Sequence, residues 1–191
     1  MSLVMVTAPS GVPLSIAELK AQSRLEGVTG ESEEALLAGY LRAAVASLEG
    51  RDGWLNRALM TQTWDLKRDW FSHEILLPLP PLQSVTSITY VDTDGDSQVL
   101  SSSLYQVAGV GGSGRARIAP AYGQTWPSTR DQPEAVTVRF VVGYGDNPHD
   151  VPEQIRQALM LMVTESYCDR EGEMGLSAGA MALLAPLRAY Y

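Results

Sequence analysis

The 191-residue chain has one cysteine, two histidines, two phenylalanines and only two lysines. A single thiol, Cys168, excludes an intrachain disulfide and any zinc cluster built on cysteines, and it is expected to pack as a small apolar residue. His73 and His149 sit apart in the turn-like stretches "FSHE" and "NPHD". Exposed turn positions are therefore expected for both, without a metal role. With only Lys20 and Lys67 and a formal charge of −8, the chain does not read as one that grips a nucleic-acid backbone. An acidic surface is still compatible with DNA that must slide past without sticking. No apolar run is long enough to span a membrane, and "MSLVMVTAPSG" lacks the basic and long-apolar parts of a signal peptide. A cytosolic product with no membrane partner is expected.

Three aspartates around a glycine in "YVDTDGDSQ" raise the question of a calcium loop. With Asp92, Asp94 and Asp96 set at ligand positions 1, 3 and 5, the required glycine at 6 is Ser97 and the required glutamate at 12 is Ser103. The flanks, "SVTSITYV" and "SQVL", are also rich in strand-forming residues where helices are needed. Asp94-Gly95 between such runs instead predicts a hairpin turned by a type I′ loop.

What remains is an ordinary folded composition, 45% hydrophobic and large enough for one core or one core with an inserted lobe. In "PLSIAELKAQSRL", Ser15 and Glu18 form the S-x-x-E capping signal and predict a helix over about Ile16 to Ser23. In "EEALLAGYLRAAVASLEG", Leu37, Tyr40, Leu41, Ala44, Val45 and Leu48 recur every three or four residues, a helix face that ends near Gly50. From Thr61 the period becomes two, with Trp64, Leu66, Arg68 and Trp70 on one side of a strand. Six further strand segments follow, "EILLP", "SVTSITYV", "SQVL", "LYQVA", "ARIAP" and "AVTVRFVVGY", on connections too short for crossover helices. One small antiparallel sheet is expected. Helix returns in "HDVPEQIRQALMLMVTESYCDR", with Asp150 and Glu153 as a capping pair around Pro152 and Ile155, Leu159, Met162 and Val163 on its apolar face. A glycine-rich break, "EGEMGLSAGA", precedes the apolar end "MALLAPLRAYY".

The fold class is thus α+β: a helical core of N- and C-terminal helices with an inserted small antiparallel β lobe. One domain over 1–191 comprises N-terminal helices (14–58), the β region (59–148) and C-terminal helices with an end segment (149–191). No catalytic constellation accompanies it. "GVGGSGRARI" lacks the P-loop pattern and reads as a mobile loop between strands. The carboxylate pairs Glu33-Glu34 and Glu171/Glu173 read as helix-dipole and solvated charges. Trp126, in the proline-rich "GQTWPSTRDQP", is expected to pack locally rather than to anchor an interface.

Four stretches, in order, resemble one family: "LSIAELKAQSRLEG", then "EEALLAGYLRAAVASLEGRDG" with "LNRALMTQTWDL", then "LPLPPLQSVTSITYVDTDGDSQVL", then "GQTWPSTRDQPEAVTVRFVVGYGD" with "VPEQIRQALMLMVTESYCDRE". They are similar to the head-tail connector, or adaptor, proteins of long-tailed bacteriophages, with relatives in prophages and gene transfer agents, over about Leu14 to Tyr191. The resemblance implies a structural, non-enzymatic subunit without cofactor or metal. It implies self-association into a ring, usually a dodecamer, beneath the portal protein, with a tail or stopper protein on the other side. Genome DNA would pass through without sequence-specific binding. The subunit would be made in the host cytoplasm and end in the virion neck or gene transfer agent particle. It also implies that the C-terminal segment docks on the portal, with Leu183, Leu184, Leu187, Tyr190 and Tyr191 as the contact candidates. The alternative is that this amphipathic end folds back on its own core; the glycines of "EGEMGLSAGA" would serve as a hinge for a segment that folds back in the free monomer and extends in the particle. Glu31, Glu33 and Glu34 are the channel-facing candidates. The competing expectation is a non-catalytic regulatory or small-ligand-binding module with the same α+β layout.

Overall fold

The computed structural model describes residues 1–22, 30–169 and 176–190. The chain is α+β, and it divides into two compact units, Ser10–Met60 with Gly145–Tyr191, and Met1–Pro9 with Thr61–Tyr144.

The first unit is helical. Helix α1 (Ile16–Gln22) starts as its capping signal requires: the Ser15 amide donates to the Glu18 carboxylate at 3.0 Å, and the Glu18 amide donates to the Ser15 hydroxyl at 3.2 Å. This reciprocal pair satisfies amides that the first turn leaves without partners. Ser23 lies outside the described residues. Helix α2 (Glu31–Leu48) buries Leu37, Leu41, Ala44 and Leu48, the inner line of the predicted face, while Tyr40 and Val45 flank it half-buried. Helix α3 (Glu153–Cys168) packs against both α2 and α4 (Ala178–Leu184) through Ile155, Leu159, Met162 and Val163, all buried. Arg156 is buried on the same helix and binds the Pro13 carbonyl, Glu153 and Glu18, so a charge inside the unit is fully engaged.

Three expectations are corrected here. Asp150 does not pair with Glu153. Its carboxylate accepts from the Asn147 amide at 3.1 Å in a capping box of the short 3-10 turn Pro148–Asp150, and α3 begins at Glu153, after Pro152 at the cap position, without a side-chain cap. Cys168 is exposed, because it falls on the stripe of Leu161 and Glu165, at i, i+4 and i+7, which faces away from the core. The glycine-rich break is shorter than expected, since the Ser177 hydroxyl accepts from the Ala180 amide and Ala178–Ala180 already form the first turn of α4.

The second unit is two antiparallel sheets rather than one. Strands β1 (Ser2–Thr7), β2 (Gln62–Arg68), β4 (Leu82–Val91), β5 (Ser97–Val99) and β8 (Val136–Val142) form a five-stranded sheet in the order β1-β2-β8-β4-β5. Strands β3 (Ile75–Leu76), β6 (Tyr105–Ala108) and β7 (Arg117–Pro120) form a second, in the order β3-β7-β6. One face of the larger sheet buries Leu66, Ile88, Val136, Val138, Phe140 and Val142, the period-2 alternation of a half-covered sheet. The opposite face carries Asp65, whose two oxygens accept from Nε and Nη2 of the cross-strand Arg139 at 2.8 Å each.

Strand β1 was not anticipated. Trp70 does not share the strand with Trp64, Leu66 and Arg68: β2 ends at Arg68, and the indole is 63% exposed. Trp126 does pack locally, stacked on Phe71 at 4.7 Å between ring centroids with its indole N–H toward the His73 carbonyl. The hairpin between β4 and β5 forms, but its loop is not type I′. Gly95 alone takes a positive φ, 98°, while Asp94 does not, and the Gly95 amide donates to the Asp92 carbonyl at 3.1 Å. That is a three-residue loop, a type I turn followed by a left-handed glycine. It is chosen because the Asp92 carboxylate collects the amides of Asp94, Gly95 and Asp96 at 3.1, 3.0 and 2.9 Å. The aspartate that suggested calcium is therefore filled by the loop's own N–H groups. Its carboxyl is held below the usual range by the Gln98 side chain first and then by these amides.

Candidate functional site

The C-terminal segment and the turn that follows α2 form the most elaborated surface of the helical unit. After Leu48 the chain reverses: the Trp54 amide donates to Ser47 at 2.9 Å, that of Leu55 to Leu48 at 3.0 Å, and that of Gly50 to Arg57 at 2.8 Å. Asn56 takes a positive φ of 53°, a conformation that asparagine tolerates and most residues avoid. Leu55, Ala58 and Leu59 anchor the turn in the core.

The end of the chain is strapped to this turn. Beyond α4 a short 3-10 turn, Ala185–Leu187, redirects the backbone. The Ala189 amide then donates to the Leu55 carbonyl at 2.9 Å, and the Asn56 side-chain amide donates to the Ala189 carbonyl at 3.2 Å. The buried Arg57 guanidinium donates to the Leu187 carbonyl. Arg188 lies over the Trp54 ring at 4.9 Å and over the Tyr190 ring at 5.5 Å, a cation held between two aromatic faces. Beside the strap is an open hollow of about 550 Å³, walled by Ser47, Arg51, Trp54, Asn56, Met162 and Arg188 among others.

The predicted docking residues are dispersed by this geometry. Leu184 is fully buried, Leu183 and Leu187 are half-buried, and Tyr190 is 74% exposed, while Tyr191 lies outside the described residues. The segment is thus folded back on its own unit, with Tyr190 and the exposed Met181 as its outward apolar side chains. Sequence reasoning missed Trp54, Arg57 and Arg188. "RDGWLNR" has no periodic signal, and its role depends on residues some 130 positions away, as in the Arg57 to Leu187 bond.

The acidic candidates open α2, where negative charge complements the helix dipole. Glu31 is exposed. Glu34 forms an ion pair with Lys20 of α1 at 2.5 Å, and Glu33 accepts from the Tyr167 hydroxyl of α3 at 3.1 Å. Two of the three are therefore committed to tying helices together. Glu171 and Glu173 lie outside the described residues. His149 and His73 are exposed, and His149 stands 3.8 Å from Glu18. The Glu18 carboxyl is held below the ordinary glutamate range, chiefly by the Ser15 hydroxyl, then by the Ser15 amide and the Arg156 charge. Among the described residues there is no cluster of three or more His, Cys, Asp or Glu that could hold a metal. Nor, among them, is any helix long and apolar enough to cross a membrane.

No protein-family model matches the chain, and no curated protein does. Solved structures do match. A chain in the virion of a native gene transfer agent particle is 30% identical, with a TM-score of 0.78 over 100% of this chain and 97% of that one. A chain in the neck of an empty gene transfer agent particle, computed with C6 symmetry, is 27% identical with a TM-score of 0.78 over the same shares. One in the neck of the native particle, computed with C12 symmetry, is 27% identical with a TM-score of 0.75, again over 100% and 97%. The match runs through both units.

Proposed function

This chain belongs to the head-tail connector, or adaptor, family of tailed phages and gene transfer agents, and from that membership we propose that it is the subunit of a ring joining portal to tail or stopper proteins. Its role in the particle neck is structural. The observation that carries the proposal is the full-length match to neck and virion chains at 27 to 30% identity. The C12 symmetry of one matched neck supports a dodecamer as the working assembly. In this reading the subunit is made in the host cytoplasm and acts by contact alone, without catalysis.

In the ring, the helical unit carries the portal contact. α4 and the strap of Leu187 to Tyr190 are released from α3 and from the turn at Leu55 to Arg57, and Leu183, Leu184, Leu187, Tyr190 and Tyr191 exchange their packing within the unit for the portal surface, because apolar side chains uncovered by that release need a partner. DNA passes through the ring, and a net charge of −8 keeps phosphates from adhering to its wall. Glu31, already exposed, is the strongest of the three channel candidates, since Glu33 and Glu34 have partners in their own unit. A ligand-binding module is the second reading, and the hollow beside Trp54 is the feature in its favour.

Co-assembly separates them. The chain is mixed with the portal protein encoded in the same gene cluster and imaged by electron microscopy beside a version truncated after Gly175. A ring on the portal that is lost on truncation supports both the connector role and the docking segment. A ring that survives truncation removes the docking segment, and no binding by the full chain removes the connector role.

A further inference from the structure

The five-stranded sheet has two terminal strands, β1 and β5. Sheet edges in soluble proteins are blunted by short strands, bulges, lysines, prolines or inward charges, because an open row of N–H and C=O groups invites another strand. β5 has only three residues and β1 shifts register between Met5 and Thr7, but the stretch Ser2 to Met5 pairs regularly with β2 and leaves its outer edge open. β1 has no charged residue and no proline, and three consecutive apolar side chains on it, Val4, Met5 and Val6, are 43 to 45% exposed. All three residues of β5 are exposed, and Val99 is 72% so.

The register relates these two edges. Ser2 is opposite Lys67, Lys67 opposite Thr137, Thr137 opposite Thr89, and Thr89 opposite Val99, one row across the whole sheet. Directly opposed residues share a face, so Val99 and Ser2 end the same row on the same side, and Val4, two residues on, joins them. Every pairing in the sheet is antiparallel, and the number of strands is odd. β1 and β5 therefore run in the same direction.

We propose that these two edges meet between neighbouring copies: β5 of one subunit adds in parallel to β1 of the next, setting Val99 against Val4 on one face and continuing the sheet around the ring. The proposal rests on the ring reading above. A cyclic ring of more than two copies needs two different surfaces per subunit, whereas pairing β1 with β1 about a two-fold axis gives an antiparallel contact that closes at a dimer. The parallel arrangement also brings the acidic turn of Asp92, Asp94 and Asp96 beside the sheet end that carries Arg68. A ladder limited by the three residues of β5 is short, so it forms when a portal gathers subunits at high local concentration and not in dilute solution.

The test uses full-length chain carrying Cys168→Ser, with Val4→Cys and Val99→Cys introduced singly and together. Rings are assembled on the portal, treated with a short bismaleimide and run on a denaturing gel. The double variant is expected to give a ladder of covalent multimers extending past the dimer, and each single variant only monomer. Rings visible by microscopy without a ladder overturn the strand addition and leave the connector reading intact. Dimers from Val4→Cys alone also overturn it, in favour of two-fold pairing of β1. If even the unsubstituted chain forms no ring on the portal, the connector reading and this proposal fall together. Val4→Lys provides a second measure, with rings lost while the circular dichroism spectrum of the subunit is unchanged.

Discussion

Leu184→Ala tests whether the C-terminal strap is folded back in the free subunit. Leu184 is fully buried on α4, which packs on α3. The substitution removes the equivalent of about three methylene groups, about 2.4 kcal/mol at ~0.8 kcal/mol each. A cavity that does not collapse raises the total to about 2–5 kcal/mol. For a chain of this size each kcal/mol lowers the melting temperature by about 2–4 °C, so a fall of about 4–20 °C is expected. The assay is urea and thermal unfolding followed by far-ultraviolet circular dichroism, which reports the helices, beside tryptophan fluorescence, because two compact units need not unfold together. Met181→Ala, at an exposed position on the same helix, is the control and should stay within about 0.5 kcal/mol. A Leu184→Ala loss no larger than the control refutes the reasoning, for it means that the segment is not packed in the free protein.

Ser15→Ala removes one half of the α1 capping box and should cost about 1 kcal/mol at neutral pH. The same hydroxyl also donates to the Glu18 carboxylate and is the main cause of its lowered pKa, so that part of the stability is present above the unfolded glutamate pKa and is lost as pH falls through the folded one. The gap between variant and parent should therefore narrow in acid, by the share that the Ser15 hydroxyl gives the Glu18 carboxylate, while the bond from the Glu18 amide persists; a gap that stays constant from neutral to acid pH in urea titrations contradicts the assignment. Gly95→Ala places a side chain at φ 98° and brings its Cβ to 2.4 Å from the Arg130 guanidinium. A loss of about 1–2 kcal/mol is expected from the left-handed backbone, and an unchanged unfolding midpoint rules the turn out. Asp65→Ala and Arg139→Ala should each lower the melting temperature, with the double variant close to either single one, because both single changes break the same pair of hydrogen bonds. Additive losses show that the two side chains act independently.

Local signals carried most of the element reading. The 3.6-residue spacing from Leu37 to Leu48, the Ser15 and Glu18 pair and the β-branched run of Val85 to Val91 are each settled within a few neighbours, and each formed as expected. What was not legible depended on distant partners. β1 becomes a strand because it lies along β2, some sixty residues away, and nothing within "SLVMVT" points to that partner. Asp150 had two caps within reach and took the nearer turn, where Asn147 completes a reciprocal box. The division into two sheets reflects β7 pairing with β3 and β6 instead of with β4, a choice among strands of similar composition. At the candidate site, the apolar character of the C-terminal end was legible. Which of its side chains face inward was not, since that follows from bonds to Leu55, Asn56 and Arg57 far earlier in the chain.

The register has a mechanical consequence. Thr7 lies opposite Thr63, and Gln62 lies opposite Val142, so the chain enters and leaves the five-stranded sheet at one end, at Thr7, Gln62 and Val142 alike. Force directed across the strands at that end opens the ladders one pair at a time, from Gln62 toward Arg68, because antiparallel ladder bonds lie perpendicular to the strands and each in turn bears the load. Force along the strands instead loads a whole row of backbone bonds together, so the sheet resists a lengthwise pull better than a sideways one.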